Sequence, residues 1–547
     1  MSRAHPLWGC ARIRWRDVVA GLSIAGLLLP EAVAYSSIGN LPPQAGIIAL
    51  FAGLIGYGVF GRSRFAIVSA TSSSAVVLAA ATASIADGDM GFQLALAMGL
   101  VLVTGLFFLL AGLARMGNLT DFIAKPVLRG FTFGLAIVII VKQFASVVGV
   151  PPSGGDMPSD VVELLSHAAS WNLFGLALGA SALLLLFLLG RFRNLPAGLI
   201  VIVLGVVASQ SLNLPAYGIR VVGPISMQLA IPAIPQLSLA DWLRLGELGM
   251  AMVLILYSES YGSIRGFAVK HGDPVSPNRD LLALGVCNVA SGLFHGMPVG
   301  AGYSGTSANE AAGAVSRWAG WVAVLVVLVL ILALLPSIAL LPEPVLAAIV
   351  IHAVSHTLRP AIFRPYFAWR RDRLLVIASV LGVLSLGVLD GLLAAMVICL
   401  VMLLRRLSDS TISTLGRIGQ GHDYVNIARH PEARPVPGMI ILRPDEPLFF
   451  ANAERILAQA RHVVKAADPS VHTLILSLEE SPDLDGTSLE ALLEFFTFVS
   501  ASGRQLMLAR LKDPAYEALK RAGPPGEALP FLSDLSVDDA VRAAQRA

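Results

Sequence analysis

Between Val18 and Leu404 the chain is a succession of apolar runs of about 15 to 25 residues, separated by short stretches that carry Pro, Gly and most of the charge. Runs of that length predict helices that cross a bilayer, and about fourteen can be marked. The first eight are 18–37, 45–60, 68–84, 94–114, 122–148, 173–189, 197–211 and 249–267. The remaining six are 281–294, 304–314, 319–335, 345–355, 374–388 and 392–404. Two runs begin abnormally. Met297–Ala314, MPVGAGYSGTSANEAAGA, has Gly296, Pro298, Gly300 and Gly302 ahead of Tyr303, which disfavours regular helix. Ser304, Thr306, Ser307 and Asn309 then supply cap-type oxygens before an Ala-rich stretch, so a helix is expected to begin inside the bilayer. Phe65–Val77, FAIVSATSSSAVV, repeats the theme with Ser69, Thr71, Ser72, Ser73 and Ser74. Non-helical backbone at that depth must be buried in protein or line a wet cavity, and exposed N–H groups at a helix start attract anions. Two such breaks in different halves mark the substrate site in many secondary transporters, which makes an anion site the leading expectation.

After Arg405 and Arg406 the pattern changes. Residues 1–407 read as the transmembrane domain and the polar stretch 408–437 as a linker. Residues 438–547 alternate strand-like MIILRP, HTLILSL and RQLMLAR with helix-like ANAERILAQARHVVKAA and SLEALLEFFTFVSAS, predicting a small soluble α/β domain with a mostly parallel sheet.

Composition sharpens this picture. With 56% hydrophobic and 14% charged residues and mean hydropathy +0.74, the chain is a polytopic membrane protein; a soluble globule carries about 25% charge. Arg3, Arg12, Arg14 and Arg16 precede the first run, which has no cleavage-site pattern and is read as retained. Arg62 and Arg64, Arg115, Arg191 and Arg193, Arg265 and Lys270, Arg317, and Arg359 to Arg373 fall in alternate loops. Asp87, Asp156, Glu343 and Asp390 mark the others, with Arg220 and Arg244 as exceptions. The positive-inside rule therefore predicts an even number of spans and cytoplasmic termini, in a cell inner membrane. A net charge of +3 gives no reason to expect nucleic-acid binding. Cys10, Cys287 and Cys399 are far apart, without metal-ligand spacing. No cofactor, and no enzymatic constellation of nucleophile and base, metal ligands or phosphate loop, is present in the sequence.

DVVAGLSIAGLLLPEAVAYSSIGNLPPQAGI, FIAKPVLRGFTFGLAIVI and PNRDLLALGVCNVASGLFHGMPVGAGYSGTSANEAAGA resemble the first, fifth, and ninth-to-tenth spans of the sulfate permease family, which includes the solute carrier 26 anion transporters. FFANAERI and LDGTSLEAL in the tail resemble a STAS domain. The resemblance implies two inverted seven-span repeats divided into core and gate, an elevator-like motion, a homodimer, and a substrate held between the starts of the third and tenth spans. On this chain those starts supply Ser69, Ala70, Thr71 and Ser72, and Tyr303, Ser304, Gly305 and Thr306. Many relatives carry arginine after the serine of the tenth span; here the triplet is Ser304-Gly305-Thr306. Pro30-Glu31 stands where many relatives have a neutral residue, and Asp280 where glutamate is usual.

Two acids, Glu31 and Glu259, sit inside apolar runs, where each costs several kcal/mol without a partner or wet cavity. Two helix starts offer about +1 charge together, against −2 from two ionised carboxylates. With no arginine at the tenth span, a bound cation restores attraction for the anion. A proton, or Na⁺ held near Glu259, is therefore the expected coupling ion, with Glu259 and Glu31 as its residues, and the expected activity is symport of a small anion such as sulfate, bicarbonate or a dicarboxylate. Anion exchange, or ligand sensing through the STAS domain, are the alternatives; flux separates a sensor from a transporter. Arg129 and Lys142 could replace the arginine, or serve the bundle interior. Tyr257, Tyr261 and Tyr303 could shape the cavity or pack, His295 could titrate or be structural, and Thr487 is read as a cap beside Asp485.

Overall fold

Each apolar run becomes a helix because the bilayer leaves the backbone no other way to satisfy its hydrogen bonds. The computed structural model describes residues 13–86, 89–117, 125–150, 157–191, 197–223, 231–355, 357–369, 372–408, 411–522 and 531–546. Cys10, Arg3, Arg12, Asp87, Asp156, Arg193, Arg370, Arg371 and the first residues of the 122–148 run lie outside them. The first half contains α1 (Trp15–Ile38), α2 (Pro43–Phe60), β1 (Val68–Ala70), α3 (Ser72–Ala86), α4 (Met90–Leu113), α5 (Lys125–Val148), α6 (Met157–Ser166), α7 (Leu173–Leu189) and α8 (Ala197–Leu212). The second contains α9 (Leu239–His271), α10 (Pro277–Leu293), β2 (Val299–Ala301), α11 (Tyr303–Ala311), α12 (Trp318–Ile338), α13 (Glu343–Ser355), α14 (Arg364–Ala368), α15 (Arg373–Leu386) and α16 (Val388–Ser408).

All fourteen apolar runs fall on helices, with three differences. The run 68–84 begins as a strand and turns helical only at Ser72. The run 249–267 lies within a helix of 33 residues, because a capping box of Ser238 and Asp241 starts it at Leu239, ten residues upstream of the expected start. The tenth run is a helix of nine residues, Tyr303–Ala311, too short to cross a bilayer.

The packing is reciprocal between the halves. α1 packs on α12 as α9 packs on α4; α2 lies on α12 as α10 lies on α4; α7 packs on α13 as α15 packs on α5. The same exchange relates α1 with α11 to α9 with α3. α1–α4 and α9–α12 make one packed group, and α5, α7, α8, α13 and α15 make a second. The groups meet where α1 touches α8 and α13 and where α3 touches α5. Glycine sets the closest approaches: a Cβ on Gly53 of α2 would collide with the Val68 carbonyl of β1, and one on Gly105 of α4 would lie 2.6 Å from the Val289 nitrogen of α10. Asp17, fully buried, ties the start of α1 to the turn before α12 by accepting from the Val315 and Ser316 amides, both at 2.9 Å, and from the Ser316 hydroxyl at 2.7 Å.

A second compact unit runs from Leu400 to Ala547. It contains β3 (Ile412–Arg417), β4 (Tyr424–Asn426), β5 (Met439–Pro444), α17 (Ala453–Ala466), β6 (Thr473–Ser477), α18 (Gly486–Ala501), β7 (Gln505–Ala509), α19 (Asp513–Ala522), β8 (Phe531–Leu532) and α20 (Val537–Arg546). The sheet order is β4-β3-β5-β6-β7-β8; β5 to β8 are parallel, and β3 runs antiparallel to both its neighbours. The stretch 408–437 is therefore not simply a linker, since β3 and β4 within it extend the sheet. Its polar look reflects an edge hairpin, where one face stays wet. Asp485 itself caps α18, accepting from the Ser488 amide at 2.8 Å, so Thr487 is not the cap. The buried carboxylate of Asp538 on α20 gathers Arg417 at 2.7 Å, His422 at 2.8 Å, Tyr424 at 3.1 Å and Arg542 at 2.9 Å, fastening the last helix to the β3–β4 hairpin.

Candidate functional site

β1 and β2 are three residues each and lie antiparallel, pairing Val68 with Ala301, Ser69 with Gly300 and Ala70 with Val299. One broken stretch from each half thus meets its counterpart, and α3 and α11 leave the ribbon from opposite ends. A two-stranded ribbon this short has outer edges whose N–H and C=O groups need partners in a dry interior. The hydroxyl and amide residues of the sequence motifs supply them. Asn288 on α10 acts as a substitute strand, accepting from the Val299 amide and donating to the Val299 carbonyl, both at 2.9 Å. The Ala301 amide donates to the Ser260 hydroxyl at 2.8 Å, Ser74 donates to the Pro298 carbonyl at 3.2 Å, and Ser291 donates to the Met297 carbonyl at 2.6 Å. Before β1, the Ile67 amide donates to Thr306 at 3.3 Å, and Asn309 donates to the Phe65 carbonyl at 3.0 Å.

The sequence-derived candidates divide accordingly. Thr306, Gly305, Ser69 and Ala70 are buried: Thr306 holds Ile67, Gly305 faces Ile67 and Leu28, and the Ser69 hydroxyl donates to the Ala70 carbonyl at 3.3 Å. Thr71 is buried at the start of α3, where it and Ser74 cap one another: the Thr71 amide donates to the Ser74 hydroxyl at 3.1 Å and the Ser74 amide to the Thr71 hydroxyl at 3.2 Å. Ser72 is half-buried, Ser304 is exposed, and Tyr303 is 65% exposed with its ring 5.5 Å from that of Phe267. Gly302, the cap position of α11, receives no side-chain cap. This leaves an undecorated helix start beside two accessible side chains.

Both intramembrane acids converge here. Glu259 on α9 accepts from Thr71 at 3.2 Å and from Ser73 at 2.5 Å, so it sits on the start of α3. Its other oxygen lies 3.8 Å from where a Cβ on Gly302 would stand, so the same carboxylate borders the start of α11. Glu31 on α1, only 5% exposed, accepts from the Ser304 hydroxyl at 2.9 Å. Among the described residues neither carboxylate has a Lys, Arg or His within ion-pair distance; hydroxyls are their partners. Beside Glu259 a cavity of about 90 Å³ opens between α3 and α9 on one side and α5 and α16 on the other. Its lining is mostly apolar, with Ser73, Thr132, Ser258 and Glu259 as polar members, and the buried Ser258 hydroxyl has no hydrogen-bond partner among the described residues.

The other candidates are engaged elsewhere. Arg129 donates to the Tyr366 hydroxyl at 3.0 Å and stacks on its ring, and Lys142 pairs with Asp160 at 3.9 Å. Tyr257 turns away to the Gly117 carbonyl at 2.6 Å, Tyr261 stacks on Tyr257, and His295 occupies a turn at φ 68°. Asp280 accepts from the Tyr57 hydroxyl at 2.8 Å, joining α10 to α2. Sequence reasoning counted Ser73 among the hydroxyls without giving it a partner, and assigned no ribbon contact to Asn288 or Ser260. Their roles depend on partners 11 to 186 residues away, and only a run of small hydroxyls hinted at the first.

A model of the sulfate permease family matches residues 15–380, and a STAS domain model matches 430–530. The chain is 33% identical over 515 residues to a protein of Mycobacterium tuberculosis described as a probable sulfate transporter, covering 93% of this chain and 92% of that one. The murine solute carrier 26 family member A9 anion transporter in its inward-facing state has a similar fold, with TM-score 0.91, 21% identity, and coverage of 99% of this chain and 93% of that one. The transmembrane domain of a cyanobacterial bicarbonate transporter, BicA, gives TM-score 0.62 and 23% identity, over 70% of this chain and 98% of that one.

Proposed function

The chain belongs to the sulfate permease family, a family of transporters and not enzymes, and on that premise we propose that it is a multi-pass membrane protein carrying small anions by cation-coupled symport. The observation that carries this reading is the meeting of two helix starts with two carboxylates and, among the described residues, no pairing base. α3 and α11 point their positive ends toward one small volume, where an anion finds backbone N–H donors, Ser72, Tyr303 and Ser304. The same volume holds Glu259 and Glu31, whose negative charge repels an anion until a cation arrives. A proton on the carboxylate, or Na⁺ beside it, makes the site attractive, so the two solutes are bound together and travel together. The cavity beside Glu259 offers water, and with it the cation, a place next to the carboxylate.

Translocation follows from the two packing groups. Both carboxylates, the hydroxyls that hold them and both helix starts belong to α1, α3, α9 and α11 of the first group, so sliding that group past the second carries the bound solutes with these ligands, in an elevator-like motion. The alternating basic loops support cytoplasmic termini in an inner membrane. Sulfate leads the substrate list because the mycobacterial relative is described as a probable sulfate transporter; bicarbonate and fumarate are the competitors.

Uptake of labelled sulfate, bicarbonate and fumarate into proteoliposomes tests the reading, each with no gradient, an inward proton gradient or an inward Na⁺ gradient. Gradient-stimulated accumulation of one anion is the expected result. Binding of an anion without flux under every gradient would overturn it.

A further inference from the structure

The two intramembrane carboxylates form a reciprocal pair. Glu31 lies on α1, the first helix of the first half, and takes its hydrogen bond from Ser304 at the broken helix of the second half. Glu259 lies on α9, the first helix of the second half, and takes its hydrogen bonds from Thr71 and Ser73 at the broken helix of the first half. Each acid precedes the broken helix of its own half by about forty residues, and the packing of α1 on α11 mirrors that of α9 on α3. The two groups occupy equivalent places. The buried phenol of Tyr35 lies within electrostatic reach of both and is, among the described residues, the titratable neighbour they share; the other described polar groups on them are the hydroxyls of Thr71, Ser73 and Ser304.

The geometry points to two cation sites, one on each carboxylate, so that one divalent anion travels with two monovalent cations. This inference rests on the cation-coupled reading above and fixes its ratio. Two helix starts contribute about +1, and two bare carboxylates leave about −1 before any substrate enters. One cation brings the site only to about zero, which offers a divalent anion no net attraction. The second brings it to about +1. A carboxylate placed at a helix start also competes with the substrate for the same N–H groups, so both starts must be relieved, and each has its own acid to neutralise.

Accumulation ratios distinguish the two stoichiometries. Proteoliposomes holding the full chain, with the membrane potential clamped at zero, are given a tenfold inward gradient of protons in one arm and of Na⁺ in the other. Labelled sulfate and labelled fumarate, both divalent, are the probes. Two coupled cations predict about 100-fold accumulation in the arm that carries the coupling ion, and one predicts about tenfold. E31Q and E259Q, each a fixed neutral mimic of one loaded site, are expected to accumulate about tenfold, and the double variant to equilibrate without accumulation. Wild-type accumulation near tenfold overturns the inference while leaving symport standing, as does 100-fold accumulation retained by E31Q. Flux without accumulation under either gradient removes the coupled reading itself. If the variants do not fold, the wild-type ratio alone still separates two coupled cations from one.

Discussion

Replacing Asn288 by leucine tests whether one buried amide side chain holds the site in shape. Asn288 is fully buried and pairs both backbone groups of Val299, at 2.9 Å each, on the open edge of the β1–β2 ribbon. Leucine matches its size and keeps the helix, but leaves a buried N–H and a buried C=O without partners. Each such group costs about 1–3 kcal/mol, so the expected destabilisation is about 2–6 kcal/mol, with the lack of competing water in a bilayer favouring the upper half. The measurement is unfolding of the purified protein in mixed micelles of increasing denaturing detergent, alongside anion uptake. The displaced ribbon would also shift Gly302 and Thr71, so uptake should fall by more than the folded fraction does. Leucine within about 0.5 kcal/mol of wild type, with uptake intact, would refute the view that the ribbon depends on this amide.

Three other outcomes follow from the geometry. Gly53→Val puts side-chain atoms where the Val68 carbonyl stands, and should cost about 1–3 kcal/mol and depress uptake, read by the same unfolding series. Asp17→Ala removes the acceptor of three hydrogen bonds at the start of the turn into α12 and leaves two backbone amides unpaired; a loss of about 1–3 kcal/mol is expected, and a stability equal to wild type would show that water replaces it. Burial alone would raise the Asp538 carboxyl, but hydrogen bonds from His422 and Tyr424 and the charges of Arg542 and His422 hold it below the usual carboxylate range. A carboxyl lowered by folding stabilises above the unfolded value of about 4 and loses that contribution as pH falls through the folded value. Pepsin should therefore begin to release α20 from the full chain only in strong acid, and Asp538→Asn should remove that pH step; an unchanged step would assign it to another group.

The apolar helices and both breaks were legible in the sequence because membrane helices announce themselves by length and hydropathy, and because glycine, proline and clustered hydroxyls at Gly296–Ser307 and Phe65–Ser74 interrupt that signal sharply. The start of the second broken helix was read at Ser304, one residue after the observed start at Tyr303. The strands were not, since three residues such as Val68–Ala70 are too few for an alternation to register and pair only with residues far along the chain. The same limit hid β3 and β4, whose sequence Ile412–Asn426 is as polar as a loop on its wet face. Within the site, sequence counted hydroxyls without knowing where they would be used. Thr306 and Asn309 answer backbone groups of the other half, whereas Ser304 and Ser73 turn to the acids. Chemically similar side chains a few positions apart diverge because a short helix rotates one toward the ribbon and the next toward the opening.

The reciprocal ribbon also sets an order of events during synthesis. Ser73 finds Glu259 only 186 residues later, and Ile67 finds Thr306 only after 239. At about 5–20 residues per second, the broken helix of the first half waits roughly 10 to 50 seconds for the segments that complete it. Until then β1 and the start of α3 enter the bilayer with unanswered backbone groups. The first half is by itself an unfinished object, and its survival depends on whatever water or escorting protein shelters that gap until the second half arrives.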